Sequence, residues 1–220
     1  MLHVPNPAVT PTNLLFNVIS APGGLLRYRR RGQIDRRLAV LLLAGSVPGV
    51  VLGAVVRVFV AADPDAFRLL AAAVLAPVGA SILRRPAPGS LDRHLAPRTI
   101  TVLAFVVGVL GGVYGIGGGS VVGPILVGTG MAVATVAPAA LLSTWATSLV
   151  GVGTYAVLAL TTSGHVAPDW SLGIASGLGG LAGGWVGAGL QPRVPERALR
   201  TALGLLALAL AVGYAGQAIR

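Results

Sequence analysis

Cysteine and lysine are both absent from the 220-residue chain, and only 10% of its residues are charged. Without cysteine the chain forms no disulfide, no thiolate zinc site and no iron–sulfur cluster. The formal net charge is +10, and all 16 cations are arginine. These arginines lie at the ends of apolar blocks and are not interleaved with aromatic residues, which make up only 5% of the chain. The sequence therefore does not predict a nucleic-acid partner.

Ionisable groups are also missing from the predicted spans. Apart from the boundary residues Arg57 and Arg68, no predicted span contains an acid, a lysine or a histidine. A proton relay built on buried carboxylates is therefore not expected. His3, His94 and His165 are scattered over ends and loops, with no metal-ligand spacing, so neither a metal nor another cofactor is predicted. Residues 1–26 carry no Lys or Arg and do not resemble a signal peptide.

Apolar residues dominate what is present. They make up 55% of the chain, and the mean hydropathy is +0.84, which exceeds what one soluble core of this length can hide. A membrane span needs about 20 apolar residues. The composition predicts an all-α, polytopic transmembrane helical bundle with the lipid bilayer as its partner. The uncharged blocks are residues 1–26, 38–56, 69–83, 99–168, 170–192 and 201–219.

Arginine placement predicts the topology, because cytoplasmic loops are enriched in Lys and Arg. Three arginine clusters occur, within residues 27–37, 84–98 and 193–200. If all three are cytoplasmic, an even number of crossings separates each from the next. The long block 99–168 then crosses an odd number of times, and its length favours three crossings over one. The predicted pieces are 99–114, 119–135 and 136–160.

The chain also contains a weak internal repeat. Residues 11–24 align with 138–151, and six further positions align in the same order: Asp35, Leu38, Gly45, Gly49, Gly53 and Ala54 with Asp169, Leu172, Gly179, Gly183, Gly187 and Ala188. This divides the chain into a first repeat (1–88), a cytoplasmic linker (89–98) and a second repeat (99–220). The arginine rule gives the copies opposite senses, and inverted repeats are a recurring plan of secondary transporters. The first repeat is expected to lack the hairpin that opens the second.

That hairpin contains the stretch GVYGIGGGSVVGP at residues 112–124. Consecutive glycines disfavour a helix, so we predict a broken helix pair at membrane depth. The half-helix after the break, starting near Ser120, would present free N–H groups and its positive end to an oxyanion. The Ser120 hydroxyl would add a donor, and Pro124 would fit an early helical turn. No βαβ context supports a dinucleotide site.

Close helix packing is the alternative role for each glycine. Packing is favoured for the spaced glycines, namely Gly45, Gly49, Gly53, Gly179, Gly183 and Gly187. A binding role is favoured over packing for the clustered ones, namely Gly115, Gly117, Gly118 and Gly119.

Polar side chains at matching repeat positions complete the candidate site. The first copy supplies Asn13, Asn17 and Ser20, and the second supplies Ser143, Thr144, Thr147 and Ser148. A single intramembrane hydroxyl or amide is usually a contact between helices. As a set at matching positions, we expect them to face a substrate.

Three segments together resemble the sulfite exporter TauE/SafE family. They are GIGGGSVVGPILV at 115–127, AALLSTWATSLVG at 139–151 and RRRGQIDRRL at 29–38 followed by the spaced glycines. The resemblance implies a multi-pass inner (plasma) membrane protein that moves small, often sulfur-containing, anions such as sulfite or organosulfonates. It places the family motif on Gly115, Gly117, Gly118 and Gly119 and the hydroxyl pair on Thr147 and Ser148. The sequence departs from the family where the first copy should open with its own glycine-rich hairpin.

The leading hypothesis is therefore an anion permease, not an enzyme, that works by alternating access of two inverted halves. One alternative is a non-transporting or incomplete membrane subunit. Another is an intramembrane hydrolase using Ser120 or Ser143 with His165, which is weaker because no buried acid would orient the histidine. Assembly into a homo-oligomer is left open.

Overall fold

The protein is helical throughout the part that the structure describes. The computed structural model describes residues 6–60, 64–84, 95–161 and 167–218, and no strand occurs in these ranges. The all-α prediction is confirmed. The helices are α1 (Asn6–Arg30), α2 (Arg36–Val60), α3 (Pro64–Arg84), α4 (Pro97–Tyr114), α5 (Gly118–Gly128), α6 (Val133–Thr161), α7 (Trp170–Leu190) and α8 (Glu196–Ala218).

Four described helices are long and apolar enough to cross a membrane. These helices are α2, α4, α6 and α8, and the mean hydropathy of their apolar segments runs from 1.5 to 2.3. Helices suit this environment because they satisfy every interior backbone N–H and C=O within one segment. The prediction of a polytopic helical membrane protein is confirmed. The segments are Arg36–Phe59, Pro97–Tyr114, Val133–Thr161 and Glu196–Gln217.

The glycine-rich stretch interrupts the helix as predicted. α4 ends at Tyr114, and α5 begins at Gly118. Between them Gly115 and Gly117 adopt φ angles of +75° and +70°, in the left-handed region that favours glycine. The break therefore depends on glycine at two positions separated by a single residue.

α5 is shorter than the sequence predicted. It ends at Gly128 instead of near residue 135, because a turn follows in which Gly130 has a φ of +111°. At about 1.5 Å per residue, its 11 residues extend ~16 Å, roughly half of a ~30 Å hydrocarbon layer. The expectation of three full crossings within 99–168 is wrong, since α5 is not one.

α5 runs back towards the end of the bundle from which α4 came. Ile100, near the start of α4, shares one buried apolar cluster with Leu126, near the end of α5. The same cluster contains Leu38 of α2, Ile82 of α3 and Val136 of α6. α4 and α5 therefore form a hairpin whose tip is the break.

Most of the described arginines gather at that same end, and Arg57, in the last turn of α2, is an exception. Arg27 and Arg31, at the end of α1, donate to the Trp185 and Ala188 carbonyls of α7 at 3.0 and 3.1 Å. Arg200, near the start of α8, donates to the Val127 carbonyl of α5 at 2.6 Å. We call this the arginine-rich end.

The spaced glycines of α2 pack tightly, as predicted. A Cβ added at Gly45, Gly49 or Gly53 would overlap the backbone of α4. Small residues let two membrane helices approach this closely. These glycines therefore fix the position of α4 on α2.

The corresponding glycines of α7 do not pack. A Cβ added at Gly179, Gly183 or Gly187 would meet no heavy atom within 4 Å. α7 packs on α1 through other glycines instead, such as Gly177 against Ile19 and Gly180 against Ser20. The predicted packing role is therefore wrong for Gly179, Gly183 and Gly187, which lie on a different side of α7 from its contact with α1.

Candidate functional site at the helix break

The broken ends of α4 and α5 leave backbone groups that need partners, because the terminal turns of a helix have no intrahelical partners for them. On the α4 side, the Gly115 N–H closes the helix on the Gly111 carbonyl at 2.8 Å. The later carbonyls accept bonds from side chains of α1 and α6. The donors are Tyr155 to Gly112 (2.8 Å), Thr10 to Val113 (3.0 Å) and Asn17 to Gly115 (3.4 Å).

On the α5 side, the helix begins against the hydroxyl groups of α6. The Gly118 N–H donates to Thr147 Oγ1 at 2.9 Å. Thr147 donates its own proton to the Ser143 carbonyl at 2.6 Å. The N-cap residue Gly117 has no side chain that could cap the other N–H groups of the first turn. The N-terminal end of α5 thus retains the partial positive charge of its first turn.

A buried hydroxyl pair lies beside Gly118. Ser46 of α2 and Ser143 of α6 are fully buried, and their Oγ atoms are 2.9 Å apart. Ser46 donates its single proton to the Leu42 carbonyl at 2.6 Å, so Ser143 is the donor within the pair. A Cβ added at Gly118 would lie 2.6 Å from Ser46 Cβ. Three helices therefore meet at this glycine.

The neighbouring glycines are equally close to α6. A Cβ added at Gly117 would lie 2.7 Å from Thr144 Cγ2, and one added at Gly119 would overlap the Ala140 carbonyl. On the other side of the break, a Cβ added at Gly115 would overlap the Thr10 carbonyl. Packing and binding are therefore not exclusive roles here, because the close approach brings α6 hydroxyls to the start of α5.

Ser148 differs from the other hydroxyls at the break. It is 0% exposed, and its Oγ is the one buried hydroxyl without a hydrogen-bond partner among the described residues. That atom would lie 3.3 Å from a Cβ at Gly117, which places it at the start of α5. An unpaired buried polar group costs roughly 1–3 kcal/mol. The combination of a free O–H donor and a positive helix end suits an oxyanion.

The structure brings most of the predicted site residues together. Asn13 packs its Cβ near Gly115, and Asn17 bonds the carbonyl of the same glycine. From the second copy, the break is lined by Ser143, Thr144, Thr147 and Ser148.

Three predicted residues do not fit their predicted roles. Ser20 lies against Gly180 of α7 and not at the break. Ser120 is exposed and donates its proton to the Ile116 carbonyl at 2.6 Å, so its hydroxyl is not a free donor. Pro124 lies in the second turn of α5, because the helix begins two residues earlier than predicted, and it removes a donor for the Ser120 carbonyl.

Three residues at the break were not predicted from the sequence, namely Thr10, Ser46 and Tyr155. Ser46 is the one hydroxyl within the spaced-glycine segment of α2, and that position alone could have suggested it. Thr10 precedes the paired asparagines by less than one helical turn. Nothing in the sequence marks Tyr155, whose hydroxyl reaches α4 from a neighbouring helix.

The serines considered as nucleophiles are both engaged. Ser143 donates to Ser46, and Ser120 donates to Ile116. His3, His94 and His165 lie outside the described residues. Within the described ranges no group of three or more His, Asp or Glu side chains is arranged to hold a metal ion.

Comparison with known proteins confirms the family resemblance. The model of the sulfite exporter TauE/SafE family matches residues 1–214. Two curated relatives from Xylella fastidiosa, strains Temecula1 and 9a5c, are each named "Probable membrane transporter protein". They are 26% and 27% identical over 222 positions, which cover 96% of this chain and 81% of each relative. No solved structure matches the chain. The chain belongs to the sulfite exporter TauE/SafE family, a family of membrane transporters.

Proposed function

We propose that this protein is a permease for a small oxyanion, sulfite or an organosulfonate, which binds at the break between α4 and α5. The observation that carries the proposal is the Ser148 hydroxyl, which is fully buried and unpaired at the positive end of α5. A hydroxyl donor and a helix N-terminus are both groups that bind anions. The family description names sulfite, which is an oxyanion of suitable size.

Burial of the hydroxyl groups at the break strengthens their hydrogen bonds to an anion. Thr144, Thr147 and Ser148 are all buried, so water competes weakly for their bonds. In such surroundings a hydrogen bond to a charged group contributes roughly 1.5–3 kcal/mol. Thr147, Thr10 and Asn17 already bond to the backbone at the break and hold its glycines in place. The Ser148 hydroxyl is fully buried without a partner and is therefore a free donor for the substrate.

Alternating access follows from the predicted inverted repeat of residues 1–88 and 99–220. In that repeat α6 corresponds to α1, and α7 corresponds to α2. α1 packs on α7, and its counterpart α6 packs on α2, as two copies related by a pseudo-two-fold axis would. Exchange between two such packings would open the break to one side and then the other. We place the protein in the inner membrane with its arginine-rich end in the cytoplasm.

The proposal is tested by Ser148→Ala in proteoliposomes loaded with sulfite. Removal of a free donor should lower the initial rate of sulfite flux about tenfold, the loss of one hydrogen bond to an anion. The thermal midpoint of the variant should stay equal to that of the wild type or rise, because the lost hydroxyl bonds to nothing in the protein. Flux and unfolding are measured on the same preparation.

Ser143→Ala is the matched control, five residues earlier on α6. The Ser143 hydroxyl bonds to Ser46, so Ser143→Ala should lower the thermal midpoint, unlike Ser148→Ala. Wild-type protein without anion flux would contradict the permease. Unchanged flux in Ser148→Ala would remove the hydroxyl from the site and leave the proposal without its main support.

A further inference from the structure

Arg200 is the one charged side chain that is buried in the part of the chain that the structure describes. It is only 4% exposed and lies one turn into α8. Its Nη2 donates to the Val127 carbonyl near the end of α5 at 2.6 Å. Its Nε and Nη1 are buried and have no hydrogen-bond partner. A guanidinium has five N–H donors, so most of this group is unsatisfied.

No described carboxylate forms a direct ion pair with this cation. Glu196 lies one turn earlier on the same helix, but its Oε1 accepts the Val133 N–H of α6 at 2.8 Å. The C-terminal end of α5 is partly negative and attracts the guanidinium. That attraction is weak compared with the penalty for burying an unpaired charge. Within the described residues, the guanidinium therefore has no carboxylate bonded to it.

We propose that Arg200 binds the transported anion at a second station, at the arginine-rich end of α5. The inference rests on the permease proposed above and adds a binding residue to it. α5 has 11 residues, so the Arg200 station lies ~16 Å from the Ser148 station, at the opposite end of the half-helix. Its ligand is a small oxyanion that accepts bonds from the two unpaired nitrogens.

The contacts around Arg200 indicate how an anion reaches it. Nε and Nη1 are sealed from solvent in this conformation. α8 is bonded to the turn between α5 and α6 on both sides, through Arg200 to Val127 and through Glu196 to Val133. Separation of α8 from this turn exposes the guanidinium to the arginine-rich side. An anion leaving the Ser148 station would then meet Arg200 on its way out.

The test is the sulfite concentration dependence of flux for Arg200→Gln and Arg200→Lys in proteoliposomes. Gln keeps a donor for the Val127 carbonyl but removes the charge, whereas Lys keeps the charge. We expect a KM at least tenfold higher for Arg200→Gln and less than threefold higher for Arg200→Lys. A residue that only caps α5 would leave KM unchanged in both variants, because Gln and Lys each keep an N–H donor for the Val127 carbonyl. Arg197→Gln is the matched control, because Arg197 is exposed on the same helix, and its KM should not change.

A second measurement does not depend on a variant that folds. Hydrogen–deuterium exchange of the wild-type peptide 125–133 should slow on addition of sulfite, because the anion joins Arg200 to the end of α5. Unchanged exchange, or an unchanged KM in inserted Arg200→Gln, overturns the second station. If Ser148→Ala lowers flux while Arg200→Gln leaves KM unchanged, only this inference fails. If the wild type shows no flux, the permease itself fails.

Discussion

Gly119 has the least room of the residues at the break. A Cβ there would overlap the Ala140 carbonyl, a backbone atom of α6 that cannot rotate away. Gly119→Ala should therefore push α5 from α6 and lower the free energy of unfolding by about 1–3 kcal/mol. The measurement is thermal or denaturant unfolding in detergent.

Gly123→Ala is the control for this change, one turn further along α5. Its Cβ would lie 3.4 Å from Ala140 Cβ, an ordinary contact, so stability should hold or improve slightly. Equal effects of the two substitutions would mean that α5 does not approach α6 as closely as the structure has it.

At the residue scale, the sequence predicted the composition of the site better than its bonding. The paired asparagines and the α6 hydroxyls were predicted because polar groups are rare in an apolar helix. Ser46 was missed because the glycines around it already had a packing role. That Ser148 has no partner while Thr147 has three cannot be read from spacing. It depends on the approach of α5 to α6, which the sequence does not contain.

α7 offers a test at the scale of one helix. Gly179, Gly183 and Gly187 face no described neighbour, so each lowers helix propensity without a packing benefit. Replacing all three with alanine should raise the thermal midpoint, since Gly is roughly 1 kcal/mol less favourable than Ala in a helix interior.

The corresponding glycines of α2 provide the contrast. Gly45→Ala would place a Cβ into the Thr101 carbonyl of α4 and should destabilise the fold. A loss of stability in the triple alanine variant of α7 would contradict the structure, since it would mean that a helix packs against Gly179, Gly183 and Gly187.

Element boundaries followed local chemistry where a strong signal existed. The end of α4 was predicted to the residue, because glycines dominate the stretch after Tyr114, and Gly115 and Gly117 there adopt positive φ angles that end a helix. The end of α5 was missed by several residues, since one glycine in a turn is a weak signal beside an apolar run. The return direction of α5 was not predictable from arginine counts, which fix only whether a block crosses an odd or even number of times.

For the whole molecule, the hairpin of α4 and α5 determines where a substrate would sit. α5 extends ~16 Å from the arginine-rich end, so its tip lies about halfway through a ~30 Å layer. The transmembrane potential acts on a charge with about 2.3 kcal/mol per 100 mV. A monovalent anion at the tip has moved through roughly half of that drop, and its binding energy should change by ~1.2 kcal/mol per 100 mV.

This gives an electrical signature for the half-length helix. With a potassium diffusion potential imposed on proteoliposomes, the apparent affinity for a monovalent anion should change about sevenfold per 100 mV, with opposite signs for entry from the two faces. An affinity that ignores the imposed voltage would contradict a binding point midway across the layer. For the proposed binding at the break, a half-length helix would make the membrane potential a control on which face takes up the anion.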